Sequence, residues 1–223
     1  GATNATGNFT ISNGNTLTLA SNVSTFNSDN MTLNASSTLN LGNSTSYSRG
    51  SSETLTFASN ITMGSNSTIN VGNGTTLNGN IYGAGTLNVL GNFTSTGSIG
   101  AAQVDGADFI TSGLEQINIS KGNTFTLNNN ATATRMNING TVTVAGNITA
   151  AVTMGADGIL NLNNESGDDN AAKVVGAIQS YVVDTAQGTL NINGTFTTQG
   201  AIGQGGKGLA AINLSNSTWS NGF

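Results

Sequence analysis

GTLNVLGNFTSTGSIG (residues 85–100) returns as GTLNINGTFTTQGAIG (residues 188–203), with ten of sixteen positions identical. The echo continues downstream, where LEQINIS (114–120) is answered by LAAINLS (209–215). The offset between copies falls from 103 to 95 residues, so the first copy carries an eight-residue insertion between Gly100 and Leu114. Self-similarity over this distance is the signature of a repeat architecture. Residues 1–223 are read as one repeat-containing domain with related segments 85–120 and 188–215.

Within each copy the apolar residues alternate with Asn or Thr. The triplet apolar–Asn–apolar occurs at residues 39–41, 69–71, 87–89, 117–119, 136–138, 160–162, 190–192 and 212–214. Apolar–Thr–apolar occurs at 9–11, 17–19, 55–57, 125–127 and 142–144. A period of two puts the apolar side chains on one face of a strand and Asn or Thr on the other. Such regular placement separates the chain from a disordered Asn/Gly/Ser-rich linker.

The Asn triplets follow one another at steps of 30, 18, 30, 19, 24, 30 and 22 residues. A solenoid repeats one strand type in this way, each coil stacking on the last with equivalent strands in register. The expected fold is therefore all-β: a single-stranded parallel β-helix of irregular coils, about 20–30 residues each, with long and short loops leaving one corner. Ten such coils would make a rod on the order of 45–50 Å long. The alternative is an antiparallel β-sandwich, because the Asn-Gly pairs at 13–14, 73–74, 78–79, 139–140, 193–194 and 221–222 also suit two-residue hairpins. In the solenoid those glycines supply positive φ at turns. Residues 171–183 alone resemble a short helix, although their β-branched content favours strand.

Composition removes several functions. Asn, Gly, Thr and Ser supply more than half the chain; charged residues supply 7%, and Pro, Cys and His are absent. A net charge of −5 with five basic residues argues against nucleic acid and against anionic lipid, both of which require Lys and Arg. No window approaches the roughly 18–20 apolar residues of a membrane span, and no basic-then-apolar leader opens the chain, which reads as a mature product or excised fragment. Low charge with abundant Thr and Asn is the habit of extracellular structural proteins.

Few residue types that carry catalysis are present. Without His or Cys there is no nitrogen or sulfur metal site and no Ser–His or Cys–His nucleophile. Asp105 and Asp108 in the insertion 101–113 form a carboxylate pair only if Gly106-Ala107 turns between them; the plainer reading is solvated loop acids. NNESGDDN (163–170) clusters oxygen donors that calcium accepts, without the EF-hand spacing. GQGGKG (203–208) resembles the start of a calcium-binding nonapeptide repeat but lacks its Asp. Both read more simply as turns. The expectation is no enzyme, with no catalytic, cofactor or metal residues.

Eighteen N-x-[ST] sequons are present. They mark either a glycosylated extracellular rod or the automatic product of strands that alternate Asn, apolar and Thr; the second reading is preferred. Thr-x-Thr at 16–18, 124–126 and 141–143 raises ice binding, against which the irregular coil steps argue.

The pattern G-T-L-N-x-x-G-x-F-T-x-x-G-x-I-G followed by L-x-x-I-N-[IL]-S, at 85–120 and 188–215, resembles the repeat of rickettsial surface cell antigens of the outer membrane protein B type, which are autotransporters. The resemblance implies a secreted, right-handed parallel β-helical passenger displayed on a Gram-negative cell as adhesin or surface coat. No stretch offers the strands of nine to eleven residues and the aromatic girdles of a membrane barrel, so either the barrel has been cut away or the resemblance is to the solenoid alone. The expected partners are a host-cell or matrix surface and, by end-to-end stacking or strand donation at 1–10 and 213–223, further copies of the chain. Loops 44–52 and 101–113 are the expected displayed segments.

Overall fold

The computed structural model describes residues 2–4, 7–19, 23–42, 54–101, 103–105, 108–110, 113–164 and 172–221. Among these, every pairing of the main 20-stranded sheet is parallel. The chain winds as a β-solenoid with three walls per turn, visited in the order A, B, C. The antiparallel sandwich is thereby excluded, and the expected parallel β-helix is the fold.

The inward side chains form continuous columns. Leu17, Leu39, Ile69, Leu87, Ile117, Met136, Val152 and Ile178 follow one another up wall A, and an isolated bridge carries the column to Ile202. Phe26, Phe57, Leu77, Ser95, Leu127, Val144, Leu162, Ile192 and Leu214 do so on wall B. Phe9, Met31, Ile61, Ile81, Ile99, Ala131, Ile148 and Val174 do so on wall C. Nearly all of these are fully buried, because each coil is covered by the one above and the one below. The eight steps of strand spacing along the columns of walls A and B give a rod on the order of 40 Å long.

Aromatic residues reinforce the columns. The rings of Phe26 and Phe57 stack at 5.0 Å, and those of Phe93 and Phe125 at 5.1 Å, each pair joining adjacent coils. Such offset pairs add to the stabilisation that burial of the rings already provides.

The two copies of the long repeat do not lie above one another. Residues 86–89 are on wall A, 93–95 on wall B and 99–101 on wall C. Residues 189–192 are on wall B, 195–198 on wall C and Ile202 on wall A. The second copy is thus displaced by four turns and one wall. This corrects the expectation that equivalent strands lie in register throughout. The Asn triplets divide accordingly: those from 39–41 to 136–138 occupy wall A, and those from 160–162 to 212–214 occupy wall B. The step of 24 residues is the change of wall.

Coil lengths vary at all three corners, not at one. The chain leaves wall A at Leu41 and rejoins wall B at Leu55; residues 181–188 and 203–210 are further long A-to-B connections. A B-to-C connection follows Asn164, and the insertion lies between walls C and A. That insertion contains a two-stranded antiparallel ribbon, Gln103–Asp105 with Asp108–Ile110, where the sequence reading placed a loop. Residues 171–183 hold strands Ala172–Val175 and Ile178–Ser180, as their β-branched content implied.

The Asn-Gly pairs serve two different ends. Gly14, Gly74 and Gly194 have positive φ as expected. Gly79 and Gly140 do not: a Cβ there would strike the carbonyl oxygens of Ser59 and Asn123 in the neighbouring coil. At these two corners close stacking, rather than turn geometry, requires glycine.

Candidate functional site

The outer surface is built from the residues between the inward ones. On wall A, Thr18, Asn40, Asn70, Asn88, Asn118 and Asn137 stand in successive coils. Each carboxamide N–H donates to the preceding side-chain oxygen: Asn40 to Thr18 at 2.9 Å, Asn70 to Asn40 at 2.8 Å, Asn88 to Asn70 at 2.9 Å, Asn118 to Asn88 at 2.9 Å and Asn137 to Asn118 at 2.8 Å. Wall B carries Thr25, Thr56, Thr76, Thr94, Thr126 and Thr143, then Asn161, Asn191 and Asn213. Asn191 donates to Asn161 at 2.7 Å and Asn213 to Asn191 at 2.8 Å. The threonine column is regular across six coils despite unequal loops, so loop length was a poor argument against ordered Thr ranks. It is one rank wide across most of its height, however.

A second set of asparagines sits at the corners, where the side-chain oxygen accepts a backbone N–H from the next coil. Asn60 accepts from Asn80, Asn130 from Asn147 and Asn147 from Lys173 at the B-to-C corner. Asn73 accepts from Asn92 and Asn92 from Thr124 at the A-to-B corner. Asn60, Asn92, Asn130 and Asn147 each precede an inward apolar residue and then an outward Thr. Corner Asn, buried apolar, outward Thr is a sequon, which supplies a structural origin for part of their excess.

A concavity among the described residues follows from where the wall A ladder stops. Above Asn137 the outward position is Thr153, which is too short to continue the carboxamide chain. An open cleft of about 320 Å³ lies there, lined among others by Asn118, Asn137, Asn139, Thr153 and Tyr181. Tyr181 belongs to the next coil and is 72% exposed. Its backbone N–H donates to Met154 at 2.8 Å, and its loop is fastened to the coil above by Asp184 N–H to Gly206 O at 2.7 Å and Ser180 N–H to Lys207 O at 3.0 Å. Among the described residues the Tyr181 and Thr153 hydroxyls have no hydrogen-bond partner, and Asn137 has no acceptor role in the ladder. Beside the cleft, Lys121 reaches past the turn at Asn139-Gly140 to Asp157 at 2.8 Å. The hydrogen bond and the charge of Asp157 raise the Lys121 pKa above its ordinary value.

The residues weighed in the sequence fall elsewhere. Asp105 and Asp108 are paired across the antiparallel ribbon at the backbone level; their side chains lie outside the described residues. Most of 163–170 and all of 44–52 also lie outside them. Residues 203–208 form an A-to-B corner loop with positive φ at Gly203, Gly205 and Gly206. Among the described residues no group of three or more His, Cys, Asp or Glu side chains is placed to hold a metal. Tyr181 was missed by sequence reading, because its role depends on a loop that overhangs residues 44 and 63 positions earlier; the run Tyr181-Val182-Val183 carried only a strand signal.

No protein-family model, curated protein or solved structure matches the chain.

Proposed function

We propose that this solenoid is a non-enzymatic rod displayed outside the cell, an autotransporter-like passenger that acts as adhesin or surface coat by presenting its walls and corner loops. The observation that carries the reading is the outer surface itself. Long columns of uncharged amides and hydroxyls cover a continuous apolar core, while connections of very different length emerge from the corners without disturbing the register. A stiff scaffold that tolerates variable projections suits display. The motif resemblance to rickettsial surface cell antigens points the same way, as does the low charge. No helix among the described residues is long and apolar enough to cross a membrane.

The test is adhesion. Fluorescent beads coated with the protein should bind epithelial cells or immobilised matrix proteins saturably, with competition by soluble protein. Beads that bind no cell or matrix surface beyond an albumin control would overturn the reading.

One observation favours a second reading, a fibre subunit. Ile212 and Leu214 continue the core columns of wall B yet are 43% and 54% exposed. Any further coil stacked on this wall would cover them and extend the parallel ladder; in the fibre reading that coil comes from another copy. Electron microscopy at rising concentration should then show filaments, and Leu214→Asp should abolish them. Particles that stay single at every concentration count against assembly.

A further inference from the structure

We propose that the cleft beside Tyr181 is a binding subsite for one ring of a neutral glycan; this rests on the adhesin reading above and names the chemical class of its ligand.

Four observations lead there. First, the cleft has an aromatic wall. Tyr181 projects 72% of its surface to solvent from a loop tied by backbone hydrogen bonds both to Met154 below and to the 204–208 turn above. An exposed aromatic ring on a fastened backbone loses little further freedom on binding. Second, the floor is a comb of amide and hydroxyl groups one strand spacing apart, Asn118, Asn137 and Thr153, in consecutive coils. The ladder commits the Asn137 N–H to Asn118, while among the described residues the Asn137 oxygen and the Thr153 and Tyr181 hydroxyls find no partner. Third, no ionised side chain lines it. Lys121 and Asp157 beside it neutralise each other at 2.8 Å, and Arg135, two residues before Asn137 on the same strand, is not among the lining residues. Fourth, the strand 131–138 that crosses the floor is already paired on both sides, with 114–119 and 148–154, so no edge is open to an added peptide strand.

A ligand for this site must offer an apolar face to a tyrosine ring and hydroxyls or amides to carboxamides and alcohols, without charge. A pyranose meets each demand: its axial C–H groups lie on the ring, and its equatorial hydroxyls point to the comb. A phosphate or acidic sugar would find no cation in the lining, and a peptide would find no strand edge.

The experiment uses the whole chain and a panel of neutral hexasaccharides: gluco-, manno- and galacto-configured chains and an N-acetylglucosamine hexamer. Binding is read by saturation-transfer NMR and titration calorimetry. At least one hexasaccharide should bind the native protein. Tyr181→Ala should weaken it about tenfold, Tyr181→Phe should keep most of the affinity, and Thr153→Val should weaken it less than Tyr181→Ala. Unchanged circular dichroism verifies that these surface variants fold. Equal affinity in native protein and Tyr181→Ala, or no signal from any member of the panel, overturns the proposal. Beads that still bind cells when no hexasaccharide binds would leave the adhesin reading standing without this subsite. Hexasaccharide binding through Tyr181 with no cell adhesion would do the reverse.

Discussion

Asn118 and Asn88 are 30 residues apart in the chain and one strand apart on wall A, and the carboxamide N–H of the first donates to the oxygen of the second at 2.9 Å. Asn88 passes the pattern on by donating to Asn70 at 2.9 Å. Removing Asn88 therefore breaks two half-buried hydrogen bonds at once. At about 0.5–1.5 kcal/mol for each bond, Asn88→Ala should lose about 1–3 kcal/mol in urea unfolding. Asn88→Asp should be worse at neutral pH, since a carboxylate cannot donate to Asn70, and should recover part of the loss near pH 4, where a protonated carboxyl can. A shift of less than a few tenths of a kcal/mol in both variants would mean that water replaces the ladder at no cost.

Phe125 is fully buried and stacked on Phe93 across one coil step. Phe125→Ala leaves a cavity that two neighbouring coils cannot close, and a loss of about 3–5 kcal/mol is expected. Because each coil contacts only its neighbours, hydrogen exchange should quicken most in coils containing Phe93, Phe125 and Val142. Uniform acceleration along the rod would show that the solenoid opens as one unit.

At the B-to-C corner, Gly97 lies against Gly79 of the coil below, so a methyl group at Gly97 would overlap that carbonyl oxygen. Gly97→Ala should cost about 1–3 kcal/mol as overpacking. Gly14 has open space around its Cβ position but a φ of +71°, and Gly14→Ala meets only the left-handed strain of about 1–2 kcal/mol. Crystal structures of the two variants would separate the causes: a displaced backbone at 79 in the first, none around 14 in the second.

The Lys121–Asp157 pair gives a pH signature. Its partner raises the Lys121 pKa above the ordinary 10.5. A lysine whose folded pKa exceeds its unfolded one contributes stability that is complete below 10.5 and is lost as pH climbs through the folded value. Thermal midpoints of native protein and Lys121→Met should therefore differ slightly below pH 10 and converge above the raised pKa. The difference should also shrink with salt, because both side chains are largely exposed. A gap that persists in strong alkali would assign the effect to the lysine stem instead.

Much of this fold is legible in the chain because strand alternation leaves little choice. Once Leu87-Asn88-Val89 is a strand beside a core, Leu87 and Val89 must point in and Asn88 out, and the same holds for the other triplets. What alternation cannot express is which wall a triplet occupies, since all three walls ask for the same residues. That is why the second repeat copy was expected in register and stands one wall round. Corners were partly readable. Asn13-Gly14 announced its positive φ, but nothing local in Asn78-Gly79 distinguishes a turn glycine from one confined by Ser59. The cleft was least readable of all, because it joins an unremarkable tyrosine to the abrupt end of a ladder built by residues several coils away.

The displacement of the second copy has a consequence for how such a rod can lengthen. Because an arc spanning a single wall satisfies the same core wherever it lies, copied segments need not close a full revolution to be accepted. Each added arc would turn everything beyond it by about a third of a circle. The compass bearing of a projecting loop is then inherited from the number of arcs beneath it, so a short duplication near one end would re-aim every loop further along without altering a residue in any of them.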